Sequence, residues 1–393
     1  MTVGYEAVVV GGGIAGLMAA ASLVREGWKV TVLEQARAYT EVGAGLAITP
    51  NGMSALATIG ADSAVREAGH PVRLAGTTDE RGAWLMRMPR DPASDGREDV
   101  YGIHRQRLHS VLLLAAEAAV FVSGARVVDV AVGAADGQRA TVECVGAAGR
   151  SRFEADLVVA ADGINSAVRR LLAPMTVPLF SGRSSWRGVV QDSSLVSSDF
   201  TIRWGPGTEF GAVRIRADEV YWYGYVSSEE GHRRPDEKSA AARHFHDWSD
   251  PVRSLIDRTP EGAVMRHDVY TLAPDLATYT YGRVVLIGDA AHAMLPTMGQ
   301  GANTSLEDGA CVGLLIGRPV NQGTPLQGAL HGFDAARRPR TQLIARRSRR
   351  SAVIGSHVRA PAGVALRNTL LKAVPPGPAL RAGAAFLSWR APD

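Results

Sequence analysis

The feature that most constrains this chain is its opening. A short β-branched run at residues 5–10 stops at Gly11-Gly12-Gly13, and an amphipathic stretch follows over Ile14–Glu26. Gly27 then stands as a natural helix C-cap, and Lys29–Leu33 reads as a second strand ending at Glu34. The result is a βαβ unit with a GxGxxG turn at Gly11, Gly13 and Gly16. Gly11 permits the tight turn, Gly13 lets a pyrophosphate approach the backbone, and Gly16 lets helix and strand pack closely. The helix start at Ile14-Ala15 offers unpaired N–H groups and a partial positive charge to that phosphate. Glu34 stands where a carboxylate binds a ribose 2′-hydroxyl and would repel a 2′-phosphate, which favours FAD or NAD(H) over NADP(H).

At 393 residues the chain is long enough for a large core and should divide into two lobes. Its 46% hydrophobic and 21% charged residues are those of an ordinary globular protein. The net charge of +4 is only mildly basic, and all but three of the 43 basic residues (Lys29, Lys238 and Lys372) are Arg. That bias points to genome composition rather than to a nucleic-acid surface. The two cysteines, Cys144 and Cys311, offer neither a disulfide framework nor a metal spacing. A reducing cytoplasm is the expected compartment. No apolar run reaches the ~20 residues needed to span a bilayer, and the first ten residues lack the basic leader of a signal peptide.

Further along, Thr77–Met88 reads as a hairpin turning at Asp79–Gly82, and Leu108–Ala119 as a helix. Short strands are expected between Val120 and Leu157, with turns at Ala135-Asp136-Gly137 and Gly146–Gly149. Leu157–Ala161 is wholly apolar, as a buried parallel strand should be. Residues 176–272 hold four of the seven tryptophans: Trp186, Trp204, Trp222 and Trp248. In Val220–Val226 the alternation puts Tyr221, Tyr223 and Tyr225 on one face and Trp222 on the other. This stretch reads as a mainly antiparallel β lobe inserted into the nucleotide-binding lobe. Arg283–Ile287 returns to a buried strand, with a helix from about Asn303. From Phe333 onward the chain reads as helical, broken at Pro339, Pro361 and Pro375-Pro376.

Two further motifs follow strand ends. The first is Asp162-Gly163-Ile164-Asn165-Ser166; by itself it is only a turn signal. The second is Gly288-Asp289-Ala290-Ala291-His292, then Pro296, then Gly299-Gln300-Gly301-Ala302-Asn303. A carboxylate at a strand end can bind a ligand hydroxyl, and the glycines let a flat ring lie against a helix N-terminus. That end suits the negative charge of a reduced flavin.

In this order and spacing the three motifs resemble the group A flavoprotein monooxygenases, the FAD-dependent aromatic hydroxylases of the para-hydroxybenzoate hydroxylase-like fold. The resemblance extends to Val42-Gly43-Ala44-Gly45, Pro50-Asn51 and His104-Arg105-Gln106-Arg107-Leu108. It implies that Glu34 binds the adenosine ribose, Arg105 reaches the FAD phosphates, Asp289 binds the ribityl chain, and Gly301-Ala302-Asn303 lies beside the isoalloxazine. Asp162 and Gly163 would serve FAD and a transiently bound NAD(P)H. Arg37 and Val127 are added as candidate cofactor contacts. His292 is expected to support its loop and not to act as a base. The chain lacks a second GxGxxG unit, a redox cysteine pair, and the Trp-x-Trp-x-Ile-Pro motif of the flavin-dependent halogenases.

The implied architecture is α/β. It comprises a discontinuous Rossmann-like FAD lobe (1–75, 95–175, 275–335), a substrate-binding β lobe (76–94, 176–274) and C-terminal helices (336–393). The implied activity consumes FAD-bound electrons from NADH or NADPH and inserts one atom of O2 into a small phenolic or heteroaromatic molecule through a C4a-hydroperoxyflavin. Trp186, Arg187, Trp204, Phe210, Arg214, Trp222 and Tyr223 are the candidate pocket residues, and for each the commoner reading is sheet core or a solvated edge. The Arg-rich run from Arg337 to Arg350 reads as a solvated helix face. A monomer or homodimer is expected, with no nucleic-acid partner and no stable membrane insertion. Two alternatives remain open: a flavin-dependent reductase or oxidase acting on an apolar substrate, and an NAD-binding dehydrogenase without flavin.

Overall fold

The computed structural model describes residues 4–37, 44–88, 100–134, 137–373, 375, 377 and 386–392. Val42, Gly43, Ala135, Asp136 and Pro376, which carry parts of the motifs and turns above, lie outside the described residues.

The opening βαβ unit forms as its sequence dictates. Strand Glu6–Val10 pairs in parallel with Lys29–Glu34 on one side and Leu157–Ala160 on the other. They are the centre of a six-stranded sheet in the order Thr280–Tyr281, Val284–Leu286, Leu157–Ala160, Glu6–Val10, Lys29–Glu34, Val120–Ser123. Only the short edge strand Thr280–Tyr281 runs antiparallel. All four residues of Leu157–Ala160 are buried, because helix and sheet layers cover both faces of a central parallel strand. Helix Ile14–Arg25 packs on this sheet and against helix Gly301–Cys311, so two motifs nearly 300 residues apart in sequence become neighbours.

A seven-stranded sheet forms the second layer. Its order is Met265–Ala273, Val177–Val190, Val220–Ser227, Thr208–Arg214, Phe200–Gly205, Leu74–Asp79, Trp84–Arg87. Every neighbouring pair is antiparallel except Phe200–Gly205 with Leu74–Asp79. Helices Glu237–His244 and Val252–Arg258 cover one face. Beneath them Trp186, Phe210, Trp222, Phe245 and Trp248 make an aromatic core in which Phe210 stacks on Trp222 at 5.5 Å. Smaller three-stranded sheets stand beside each layer.

Two sequence expectations fail in the C-terminal part. Pro339 does not break the chain: a single helix runs from Leu326 to Ile354 with Pro339 inside it. An interior proline costs a helix ~3 kcal/mol, so tertiary contacts must offset it. Buried Phe333, Arg337, Thr341, Ile344 and Ser348 repeat at helical spacing on the face that supplies those contacts. The Arg-rich run is likewise not uniformly solvated, since Arg337 is 1% exposed. No helix among the described residues is long and apolar enough to cross a membrane.

Candidate functional site

The glycine turn is built by its neighbours. Gly11 has φ of 103°, and a Cβ there would lie 2.4 Å from the Ala161 carbonyl oxygen, so only glycine lets these two strand ends abut. That contact places the Asp162-Gly163 segment directly beside Gly11. Glu34 closes the other side: Oε2 accepts from Gly12 N and Oε1 from Ala36 N, both at 2.7 Å. Helix Ile14–Arg25 starts at Gly13 without a side-chain cap, leaving its first N–H groups directed at the turn.

The roles suggested by sequence are distributed unevenly here. Asp162 uses Oδ2 to cap helix Ala167–Leu172, accepting from Ala167 N at 2.7 Å and Val168 N at 3.2 Å. Its Oδ1 is buried without a hydrogen-bond partner. Arg37 is exposed beyond the end of the second strand. The Val127 side chain is 7% exposed and part of the hydrophobic core, so only its backbone is left to meet a ligand.

The second half of the site hangs on helix Gly301–Cys311. Asp308, on the buried side, accepts from Gly288 N at 2.9 Å and pairs with His292 Nε2 at 2.5 Å. Arg337 reaches the same carboxylate through Nε at 2.7 Å, and Glu307 through a second nitrogen at 2.7 Å. Burial works to raise the Asp308 carboxyl, but His292 and Arg337 hold it down at about 2. The His292 side chain therefore clamps the Gly288–His292 segment onto this helix.

Asn303 belongs to the same framework. Its Oδ1 accepts from Thr49 N at 3.0 Å, and its Nδ2 donates to Ala47 O at 3.0 Å and Gly299 O at 2.9 Å. Asn51 joins Gln300 (3.0 Å) to Glu307 (2.6 Å). The side chain of Asn303 thus ties the loop to strand Gly45–Ile48 and does not project toward a ring.

Between these halves lies one cavity of about 2080 Å³, larger than the ~300–1,000 Å³ of an ordinary ligand pocket. Gly13, Ile14, Ala15 and Gly163 line it from the first motif pair. Asp289, Pro296, Gly299, Gly301 and Ala302 line it from the third, and Arg105 from between them. Gly11, Gly16, Glu34, Arg37, Val127, Asp162 and Asn303 do not. Burial lowers the Arg105 guanidinium while the Asp289 carboxylate opposes that shift, and both side chains line the cavity.

The residues fit FAD. A Cβ built at Gly13, Gly163, Gly299 or Gly301 would meet nothing within 4 Å, so four backbone segments lie open to the cavity. Helix Gly301–Cys311, like the first, begins without a side-chain cap. Two uncapped helix starts therefore open on the space, and a carboxylate (Asp289) and a cation (Arg105) line it as well.

On the β-sheet side the structure corrects the sequence reading. Arg187, Phe210 and Tyr223 line the cavity. Trp186, Trp204, Arg214 and Trp222 do not. Trp186 donates to Glu237 at 2.7 Å and Trp222 to Thr259 at 2.8 Å, both within the core under the covering helices. Trp204 donates to Glu209 at 2.9 Å. Arg214 turns to Asp199 at 3.5 Å and to the Ser193 and Val196 carbonyls. Large aromatic side chains are core before they are pocket, and residue type alone does not give the face. Sequence reasoning missed Tyr221, Ser185 and Met294, which line the cavity, and Glu209 behind Tyr223. The period-two alternation that paired Tyr221 with Tyr223 was the available signal for Tyr221.

Comparison with known proteins agrees with this geometry. A family model described as "FAD binding domain" matches residues 4–348. The chain is 36% identical over 340 residues to aurachin C monooxygenase/isomerase of Stigmatella aurantiaca, covering 86% of each. It is 31% identical over 381 residues to 2-heptyl-3-hydroxy-4(1H)-quinolone synthase of Pseudomonas aeruginosa, covering 94% of each. It is also 35% identical to 3-amino-4-hydroxybenzoate 2-monooxygenase of Streptomyces cremeus over 367 residues, covering 88% of this chain and 86% of the relative. In fold it matches Klebsiella pneumoniae HpxO complexed with FAD and uric acid, with a TM-score of 0.85 at 24% identity, covering 98% and 97% of the two chains. The chain belongs to the FAD-binding-domain family of FAD-dependent aromatic hydroxylases and is a single-component flavin monooxygenase.

Proposed function

We propose that this monooxygenase hydroxylates a fused, oxygen-bearing heteroaromatic ring of the 4-quinolone type that carries an apolar chain. Support comes from the cavity itself, which Gly299–Ala302 share with a polar and aromatic wall of Arg187, Tyr221 and Tyr223. That one wall is the observation that carries the reading. Beyond it, Val72, Leu74, Met88, Phe200 and Ile202 continue the cavity with side chains suited to a hydrocarbon chain. Two relatives above 30% identity are an aurachin C monooxygenase/isomerase and a 2-heptyl-3-hydroxy-4(1H)-quinolone synthase.

Bound FAD supplies the electron transfer from NADH or NADPH and the activation of O2. The chain's own residues bind, orient and shield. In the proposed arrangement Glu34 takes a ribose hydroxyl, Arg105 the phosphates and Asp289 the ribityl chain. The uncapped start of helix Gly301–Cys311 offers its N–H groups to the electron-rich side of the ring. Arg187 Nε is buried without a hydrogen-bond partner, which suits it to the ring oxygen of the substrate. The lobes at 1–75, 95–175 and 275–335 hold the cofactor; those at 76–94 and 176–274 hold the substrate, and 336–393 buttress the first. A cytoplasmic monomer or homodimer completes the proposal.

The test is incubation of the purified yellow protein with NADH or NADPH and 2-heptyl-4-quinolone under 18O2. One heavy oxygen in a hydroxylated ring is expected. Faster NAD(P)H oxidation with no labelled product from any hydroxylated ring would sink the reading.

A further inference from the structure

The notable group outside the cofactor framework is a carboxylate buried behind the substrate wall. Glu209, Gly211 and Val213 share one face of strand Thr208–Arg214, and Gly211 stands opposite Tyr223 across the ladder. A Cβ at Gly211 would fall 2.1 Å from Tyr223 Cε1 and 2.6 Å from its hydroxyl oxygen. Glycine there lets the Tyr223 ring lie along the strand and donate its hydroxyl to Glu209 Oε1 at 2.8 Å. Trp204 Nε1 donates to Oε2 at 2.9 Å. Glu209 is 5% exposed and has no ion pair among the described residues. Tyr223 keeps part of its surface open to the cavity.

A carboxylate sealed from water without a paired charge is costly, and Tyr223 and Trp204 offset that cost with neutral donors only. Its surroundings are suited to holding a proton that arrives through Tyr223. Arg183, two strands away on Val177–Val190, is the nearby cation, and it spends one nitrogen on Gly207 O at 2.7 Å. Tyr225 packs against Arg183, and Arg367 lies over Trp204 at 5.6 Å. Ser356 and His357 approach from beyond the long helix. Burial and the charges of Arg183 and Arg359 push His357 down to about 4, so it stays neutral near pH 7.

We propose that Tyr223 and Glu209 form a proton relay that takes up the hydroxyl proton of the substrate ring as the ring is oxygenated. Tyr223 meets the substrate, and Glu209 is the positioning residue behind it. The substrate O–H bond breaks and its proton binds the Tyr223 oxygen. The Tyr223 O–H bond breaks in the same movement, and that proton binds Glu209 Oε1. The electron pair stays on the substrate oxygen, enriching the ring carbon beside it, and nothing is oxidised or reduced in this step. Burial raises the Glu209 carboxyl above its ordinary range, and burial together with the Glu209 charge raises Tyr223. Tyr223 therefore stays a neutral phenol that gives up its proton only as it receives another, and Glu209 is suited to keep the proton it takes.

The relay rests on the hydroxylated-ring reading above, and the experiment separates the two. FAD-loaded wild type, Glu209→Gln, Glu209→Asp and Tyr223→Phe are assayed with 2-heptyl-4-quinolone and with 4-hydroxybenzoate across pH 5–9. Infrared difference spectra of the wild type are recorded on binding of whichever ring is oxygenated. Expected are a loss of about 10²–10³-fold in kcat for Glu209→Gln with little change in KM, partial recovery in Glu209→Asp, and hydrogen peroxide released in place of product. The acid limb of the wild-type kcat profile should vanish in Glu209→Gln. A protonated-carboxyl band should appear on binding to the wild type and be missing from that variant. A Glu209→Gln enzyme with wild-type kcat and an unchanged acid limb overturns the relay. Oxygenation of 4-hydroxybenzoate but not of the quinolone overturns only the quinolone reading, and the relay is then judged on that ring. An enzyme that oxygenates neither ring overturns both.

Discussion

Arg337 donates through Nε to Asp308 at 2.7 Å, and both side chains are 1% exposed. This contact joins the long C-terminal helix to helix Gly301–Cys311, whose uncapped start opens on the cavity. Removing one member of a buried pair strands the other, at a cost of about 3–5 kcal/mol. Arg337→Ala should therefore lower the melting temperature sharply and release FAD. Arg337→Met, which refills the volume, strands the same carboxylates and should also lose flavin. Calorimetry with flavin absorbance in parallel checks both, and a stable yellow Arg337→Ala protein would contradict the clamp.

The same pair fixes a pH dependence. Asp308 sits at about 2 against an ordinary 3.8, so its contribution to stability is complete above the ordinary value and is lost as the pH falls toward 2. The amount is on the order of 2 kcal/mol. Acid unfolding of the wild type should steepen between pH 4 and 2, and Asp308→Asn, already destabilised, should show a shallower decline there. Urea midpoints across that range measure it.

Glu34 accepts hydrogen bonds from Gly12 N and Ala36 N, and its charge also serves the ribose in the proposed site. Glu34→Gln should weaken FAD binding by about 10–100-fold, the worth of one charge-assisted hydrogen bond of ~1.5–3 kcal/mol. Flavin fluorescence titration of the apoprotein reads this directly. Asp289→Ala should weaken FAD likewise, and full flavin occupancy in that variant would remove the ribityl assignment.

Gly211→Ala places a methyl group where the Tyr223 ring lies. The ring must swing off Glu209, at a cost of about 1–3 kcal/mol for overpacking. The variant should fold, bind FAD, and resemble Tyr223→Phe in its kcat loss. Wild-type turnover in Gly211→Ala would show that the ring placement does not matter.

Arg187 and Trp222 stand on paired strands, Arg187 opposite Tyr223 and Trp222 opposite Gly188, yet should respond oppositely. Arg187→Ala should raise KM by about 10–100-fold, again one charge-assisted contact, with the melting temperature nearly unchanged. Trp222→Ala should cost about 3–5 kcal/mol of stability through the cavity it leaves in the aromatic core. Paired kinetics and thermal melts separate the two, and an Arg187→Ala enzyme that loses stability and not affinity would reverse the assignment.

The parts legible from sequence share a physical reason. The glycine turn and the Leu157–Ala160 strand announce themselves because a βαβ crossover forces both, and burial on two faces leaves no polar position to confuse the pattern. The Gly288–Asn303 motif was legible as a stretch but not in its division of labour. The Asn303 side chain ties down strand Gly45–Ile48, and that partner lies some 250 residues away. Arg337 read as solvated because its partners, Glu307 and Asp308, sit in a segment already read for the cofactor. Pro339 read as a break because helix propensity is local, whereas the contacts that overrule it are not. The Glu209–Tyr223 contact needed the strand register, which puts Gly211 opposite Tyr223 and which no single-strand pattern contains.

One sheet divides two tasks by the parity of residue number. Along Val177–Val190 and Val220–Ser227, Trp186 and Trp222 are held by the covering helices, while Ser185, Arg187, Tyr221 and Tyr223 line the cavity. Mutational drift can therefore explore new aromatic targets at alternate positions while the intervening ones stay fixed, and a saturation library restricted to 185, 187, 221 and 223 should retain folded, flavin-loaded members far more often than one drawn from 186 and 222.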